Sequence, residues 1–152
     1  MYDAAVTTAR HRYPRTPHTV SRSRANLRAQ LRAWGLSPDD VATAELVLSE
    51  LVTNAVQHAG NPPGRQVEVR FTLTDAPTLL RLEVSDACTA LPRPRTAALD
   101  LTPDPDAESG RGLLLVTALA DGWGVTPRPH GIGKTVWAEL KLTQLGDGQR
   151  QP

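Results

Sequence analysis

The chain has 152 residues but one cysteine, Cys88, so no internal disulfide can form, and no Cys/His group has the spacing of a zinc site. That economy fits a reducing compartment. No apolar run reaches the roughly 18 residues that a membrane-spanning helix requires. Residues 1–15 mix Asp3, Arg10, Arg12 and Arg15 with small side chains, which excludes the apolar core of a secretory signal. The expected location is the cytoplasm. An excess of one charge is missing too: 17 basic and 16 acidic residues leave a formal net charge of +1, with no global pull toward nucleic acid or a membrane surface. Aromatic residues make up only 4%, so a core has to come mainly from Leu, Val and Ala.

What is present suits one globular domain. Hydrophobic residues are 39% and charged residues 22%, and the length suffices to bury a core. No internal repeat occurs. The 13 prolines fall mostly between periodic segments, where they act as punctuation. Residues 1–15 read as an N-terminal arm with one short strand at 6–13. In 19–34, Val20, Leu27, Leu31 and Trp34 recur at helical spacing and Gly35 supplies the stop. Arg24, Arg28 and Arg32 line the same helix as a basic stripe. Ser37-Pro38-Asp39-Asp40 opens a second helix with a serine cap, a proline in the first turn and acids at the positive end of the dipole. That helix is expected to run to Ala59, ahead of Gly60 and Asn61-Pro62-Pro63-Gly64.

Val67, Val69, Phe71 and Leu73 alternate as a strand, Asp75-Ala76-Pro77 turns the chain, and Leu80, Leu82 and Val84 alternate in the next strand, which ends at Asp86. The region of about 89–110 is rich in Pro and Asp without a period and reads as a long loop of the kind that serves as a lid. A third helix is expected at 112–120, then closing strands at 123–126 and 135–142, and a polar, disordered tail at 144–152. This order of hairpins and few helices predicts an α+β sandwich.

The second helix carries the most chemistry. Glu50, Asn54 and His58 are spaced by four, and each step of four advances only about 40° around a helix, so they share one side. Val41, Ala44, Leu48, Leu51, Val52 and Ala55 make the core-facing stripe beside them. Two readings stay open on spacing alone. The row is either the solvated edge of an ordinary amphipathic helix, or the wall of a cleft where a hard cation meets an amide oxygen and a hydroxyl meets a base.

Glu50-x-x-x-Asn54-Ala55-x-x-His58-Ala59 resembles the N-box of the GHKL ATPase superfamily. It is most similar to the anti-sigma-factor serine/threonine kinase branch, whose box reads like Ser49-Glu50-Leu51-Val52-Thr53-Asn54-Ala55. The resemblance implies that Asn54 binds the magnesium bridging a triphosphate, that Glu50 is the general base, and that His58 lines the site. Glu83-Val84-Ser85-Asp86 resembles the second box, whose Asp accepts a hydrogen bond from the adenine amino group. The family continues Asp-x-Gly-x-Gly. Here Cys88 and Ala90 replace both glycines, so side chains stand where backbone passes close to the base. Gly110-Arg111-Gly112-Leu113 resembles the third box, Gly-x-Gly-Leu. Its glycines would let the chain approach phosphates, the helix starting there would offer unpaired N–H groups, and Arg111 would add a positive charge.

Gly131-Ile132-Gly133-Lys134-Thr135 is not a P-loop: Arg128 stands where its first glycine is needed, and the following residues alternate as a strand instead of forming a helix. The resemblance instead places Thr135 near the phosphates. It covers roughly 13–142 and implies a two-layer Bergerat-type α/β sandwich over 16–143, with a mixed, mostly antiparallel sheet against three helices. By the same resemblance the cofactors are ATP and Mg2+, and the activity is that of a magnesium-dependent protein serine/threonine kinase. It would phosphorylate serine on an anti-anti-sigma (STAS) partner and/or sequester a sigma factor. Arg24 falls where that family contacts its partner, and homodimers occur in it. The alternative is a non-catalytic binding module that acts by partner switching with weak or no ATP turnover, a reading that the missing second-box glycines motivate.

Overall fold

Residues 5–58, 66–75, 78–87, 107–128 and 133–143 are described in a computed structural model, His58 and 107–112 by their backbone alone. Periodicity has become structure in the expected order: β1 (Val6–Pro14), α1 (His18–Ala33), α2 (Pro38–His58), β2 (Gln66–Asp75), β3 (Thr78–Asp86), α3 (Ala107–Leu119), β4 (Gly122–Pro127) and β5 (Lys134–Lys141). The strands form one sheet in the order β1-β2-β3-β5-β4. All four pairings among the described strands are antiparallel, in line with the mostly antiparallel sheet expected. The reason lies in the crossover through α3. β3 and β4 run in the same direction, but β5 lies between them and pairs antiparallel with each.

The three helices cover one face of this sheet. Val67, Val69, Phe71, Leu80, Leu82, Val84, Val136, Ala138 and Leu140 alternate onto that face and are buried against Leu27, Leu31, Val47, Leu48, Leu51 and Val52 of the helices. Apolar burial at about 25 cal/mol per Å² makes this interface the main source of stability. The opposite sheet face is polar. Glu68 there faces Arg10, Arg12 and Arg70, and Arg81 lies between Glu83 and Glu139 with its guanidinium over the Trp137 ring. Such half-exposed pairs contribute little each.

Both helix ends that the sequence marked are built as it marked them. Gly35, at φ 85°, ends α1, with its N–H bonded to Arg32 O and Leu36 N–H to Leu31 O, both at 3.0 Å. Ser37 Oγ accepts from Asp40 N–H at 3.2 Å at the start of α2. Asp40 Oδ2 in turn accepts from Thr143 N–H at 3.2 Å and Thr143 Oγ1 at 2.6 Å, which ties the start of α2 to the chain leaving β5. α3 departs from expectation. It begins at Ala107, five residues before 112, so 107–110 of the expected lid are helix. The rest of that lid and the expected tail lie outside the described residues.

Candidate functional site

The tether at Asp40 fixes which end of the sheet the chemistry of α2 reaches. Thr143 lies beyond the Lys141 end of β5, and β5 pairs Lys141 with Leu79 and Lys134 with Asp86. α2 therefore starts at the Leu79 end and runs toward the Asp86 end. At about 1.5 Å per residue its Asn54 comes roughly 20 Å further along the helix. Leu51, Val52 and Ala55 are buried in the core while Glu50, Thr53 and Asn54 are only partly covered, so the polar row stands at the core's edge. Among the described residues, the Asn54 Nδ2 atom is buried and makes no hydrogen bond. A buried amide N–H without a partner costs on the order of 1–3 kcal/mol. Glu50, one turn earlier, is part of a further polar interaction. The side chain of His58, the last residue of α2, lies outside the described set, as does Cys88.

Asp86 ends β3 on the helix-facing side, following Leu80, Leu82 and Val84, and is 1% exposed. It is paired. Lys134 Nζ donates to Asp86 Oδ1 at 3.0 Å and to Oδ2 at 3.1 Å, and Lys134 is itself only 6% exposed. The preceding residue enforces this contact. Gly133 has φ +87°, and a Cβ there would fall 1.9 Å from the Asp86 carbonyl oxygen and 2.7 Å from Ala87 Cα. Only glycine lets the chain enter β5 this close to the end of β3. Arg128 N–H donates to Gly133 O at 3.0 Å and closes the hairpin from β4.

Thr135 does not reach this end of the helix-facing layer. Successive strand residues point to opposite faces, so with Lys134, Val136 and Ala138 turned to the helices, Thr135 projects from the other side. There its Oγ1 lies 2.7 Å from Ser85 Oγ. Gly110 and Arg111 belong to the first two turns of α3 instead of a turn ahead of it, and Gly112 lies in the helix as expected. Of the three, Gly110 alone is among the first four residues, whose N–H groups lack helical partners. Leu113, on the same helix, is buried.

The profile of the histidine kinase-like ATPase domain family matches residues 13–140. The chain belongs to that family. No curated protein matches it. Among solved structures, the chain is similar to the crystal structure of the RsbU and RsbW domains of Rv1364c from Mycobacterium tuberculosis. The TM-score is 0.62 at 21% identity, over 90% of this chain and 32% of that one. The likeness supports the fold, and the chain spans about a third of that protein's length.

Two further residues of this ATPase domain were not legible as partners in the sequence. Lys134 was read only as part of a discarded motif. Its place two residues before Val136 on an alternating strand was the available signal, because a lysine on a core face is almost always paired. Glu45 of α2 takes two residues of the basic stripe. Arg24 Nε and Nη2 donate to Glu45 Oε2 at 2.9 and 2.6 Å, and Arg28 Nη1 donates at 2.8 Å. Burial pushes the Glu45 carboxyl up, but the Arg24 hydrogen bond and the Arg28 and Arg24 charges outweigh it and hold the carboxyl below its ordinary value. Arg24 is thus held against α2 while 45% of its side chain stays exposed. No helix among the described residues is long and apolar enough to cross a membrane.

Proposed function

We propose that this domain binds ATP with magnesium and works as a regulatory protein of the anti-sigma-factor kinase type. It would phosphorylate serine on a STAS-type anti-anti-sigma partner and/or sequester a sigma factor. One observation carries the proposal: among the described residues the Asn54 Nδ2 atom is buried without a hydrogen bond, one turn from Glu50 on α2. A buried amide N–H with no acceptor among the described residues is matched to a ligand that brings one, such as a phosphate oxygen. Membership of the ATPase family supports ATP as that ligand.

The residues fit the group. Asn54 Oδ1 is a hard oxygen donor of the kind that magnesium takes, with phosphate oxygens and water completing its shell. Magnesium held there would offset charge on the triphosphate. Glu50 would take the proton from the attacking serine hydroxyl, within hydrogen-bond reach of it. Asp86 would accept from the adenine amino group. The start of α3, with Gly110 and Arg111, would offer unpaired N–H groups and a positive dipole end to the phosphates. Arg24, Arg28 and Arg32 would line the surface that meets the protein partner.

A second reading, the binding module with weak or no turnover, is favoured by the Asp86–Lys134 pair and by the helical state of 110–112. Calorimetry with Mg-ATP, followed by a phosphoserine assay on a STAS domain, separates the two. The kinase reading expects binding and transfer, with Glu50→Gln abolishing transfer but keeping binding. Binding without phosphoserine establishes the module. No binding at all ends both.

A further inference from the structure

Lys134 is delivered onto Asp86 by three independent features of the backbone. The ladder pairs Asp86 directly with Lys134. Strand alternation turns both side chains to the helix-facing side, where they are 1% and 6% exposed. Gly133 packs against the Asp86 carbonyl so closely that β5 has no room to slip. The result is an ammonium that donates to both oxygens of a carboxylate inside the protein. A buried charge held this way is costly to leave alone, so removing one partner leaves the other's charge uncompensated.

We propose that Lys134 sets base affinity and specificity in this domain, by competing with the 6-amino group of a purine for Asp86. The inference rests on the nucleotide reading above. An amino group on the base can only donate, as Lys134 already does, so adenine must share a carboxylate whose charge Lys134 already offsets, and its hydrogen bond there is weaker than one to an unpaired carboxylate. A 6-oxo group can only accept, and the Lys134 ammonium is the donor it needs. The domain therefore binds adenine nucleotides weakly and discriminates poorly between 6-amino and 6-oxo purines.

The test is calorimetric titration of ADP and of inosine diphosphate, whose base carries the 6-oxo group, into the wild type, Lys134→Met and the double variant Asp86→Asn/Lys134→Met. Circular dichroism establishes that each is folded. Lys134→Met should bind ADP at least about tenfold more tightly, the factor that one charge-assisted hydrogen bond carries, with no gain for inosine diphosphate. The double variant removes both charges of the pair and keeps the argument testable should the single one fail to fold. It should also bind ADP more tightly than wild type, but without selecting between the bases, since an amide presents either a donor or an acceptor. ADP binding no tighter than wild type in either folded variant overturns the proposal, as does an equal change for both nucleotides in Lys134→Met. If neither nucleotide binds any folded form, the nucleotide reading itself fails.

Discussion

Replacing Gly133 by alanine tests whether the close approach of β5 to the end of β3 shapes the site. The glycine has φ +87°, and an alanine there adopts a left-handed backbone at a cost of about 1–2 kcal/mol. The new methyl would lie 1.9 Å from the Asp86 carbonyl oxygen, 2.8 Å from its carbon and 2.7 Å from Ala87 Cα. All three are backbone or Cα atoms, so no side chain can swing away. The strand ends must part instead, at the typical overpacking cost of about 1–3 kcal/mol. Together roughly 3 kcal/mol is expected, which lowers Tm by about 6–12 °C in a chain of this size. Gly124→Ala is the control. It meets the Trp137 ring at 2.7 Å without a positive φ, and that half-buried ring can shift, so about 1 kcal/mol is expected. Urea unfolding followed by circular dichroism measures both. A Gly133→Ala protein within about 1 kcal/mol of wild type, or less affected than Gly124→Ala, refutes the reasoning.

The remaining predictions separate fold from site. Asn54→Ala removes a buried amide whose Nδ2 has no partner among the described residues, so urea melts should show a loss below about 1 kcal/mol, while calorimetry shows magnesium-dependent ATP affinity falling at least about tenfold; unchanged affinity would count against the site. Glu45 has a folded-state pKa below its ordinary 4.5, so its contribution is present above that pH and is lost as pH falls through the lowered value. Glu45→Gln should therefore flatten the acid limb of a stability–pH profile, and an acid limb that keeps its slope would contradict the pairing. Tyr13 is buried, accepts from Asn26 Nδ2 at 2.6 Å, and has its pKa raised from 10.0, chiefly by burial. Its contribution is whole below pH 10 and declines as pH rises toward the raised value, so Tyr13→Phe should lose stability at neutral pH yet show a shallower alkaline decline in thermal melts.

Local pattern alone determined the order of the elements and which side of each faces the core. Phe71, Leu82 and Ala138 alternate, and Leu48, Leu51 and Val52 recur at helical spacing, whatever the rest of the chain does. The row of Glu50 and Asn54 beside that stripe was legible for the same reason, as were the glycine stop at Gly35 and the serine cap at Ser37. The tertiary structure decided what these residues meet. Insertion of β5 between β3 and β4 makes the sheet wholly antiparallel, and its register puts Lys134, not Thr135, against Asp86. Glu45 draws in Arg24 and Arg28 only because α1 packs on α2. Periodicity is a property of neighbours along the chain, whereas an ion pair between residues 48 apart depends on strand register and on the one glycine that allows the approach.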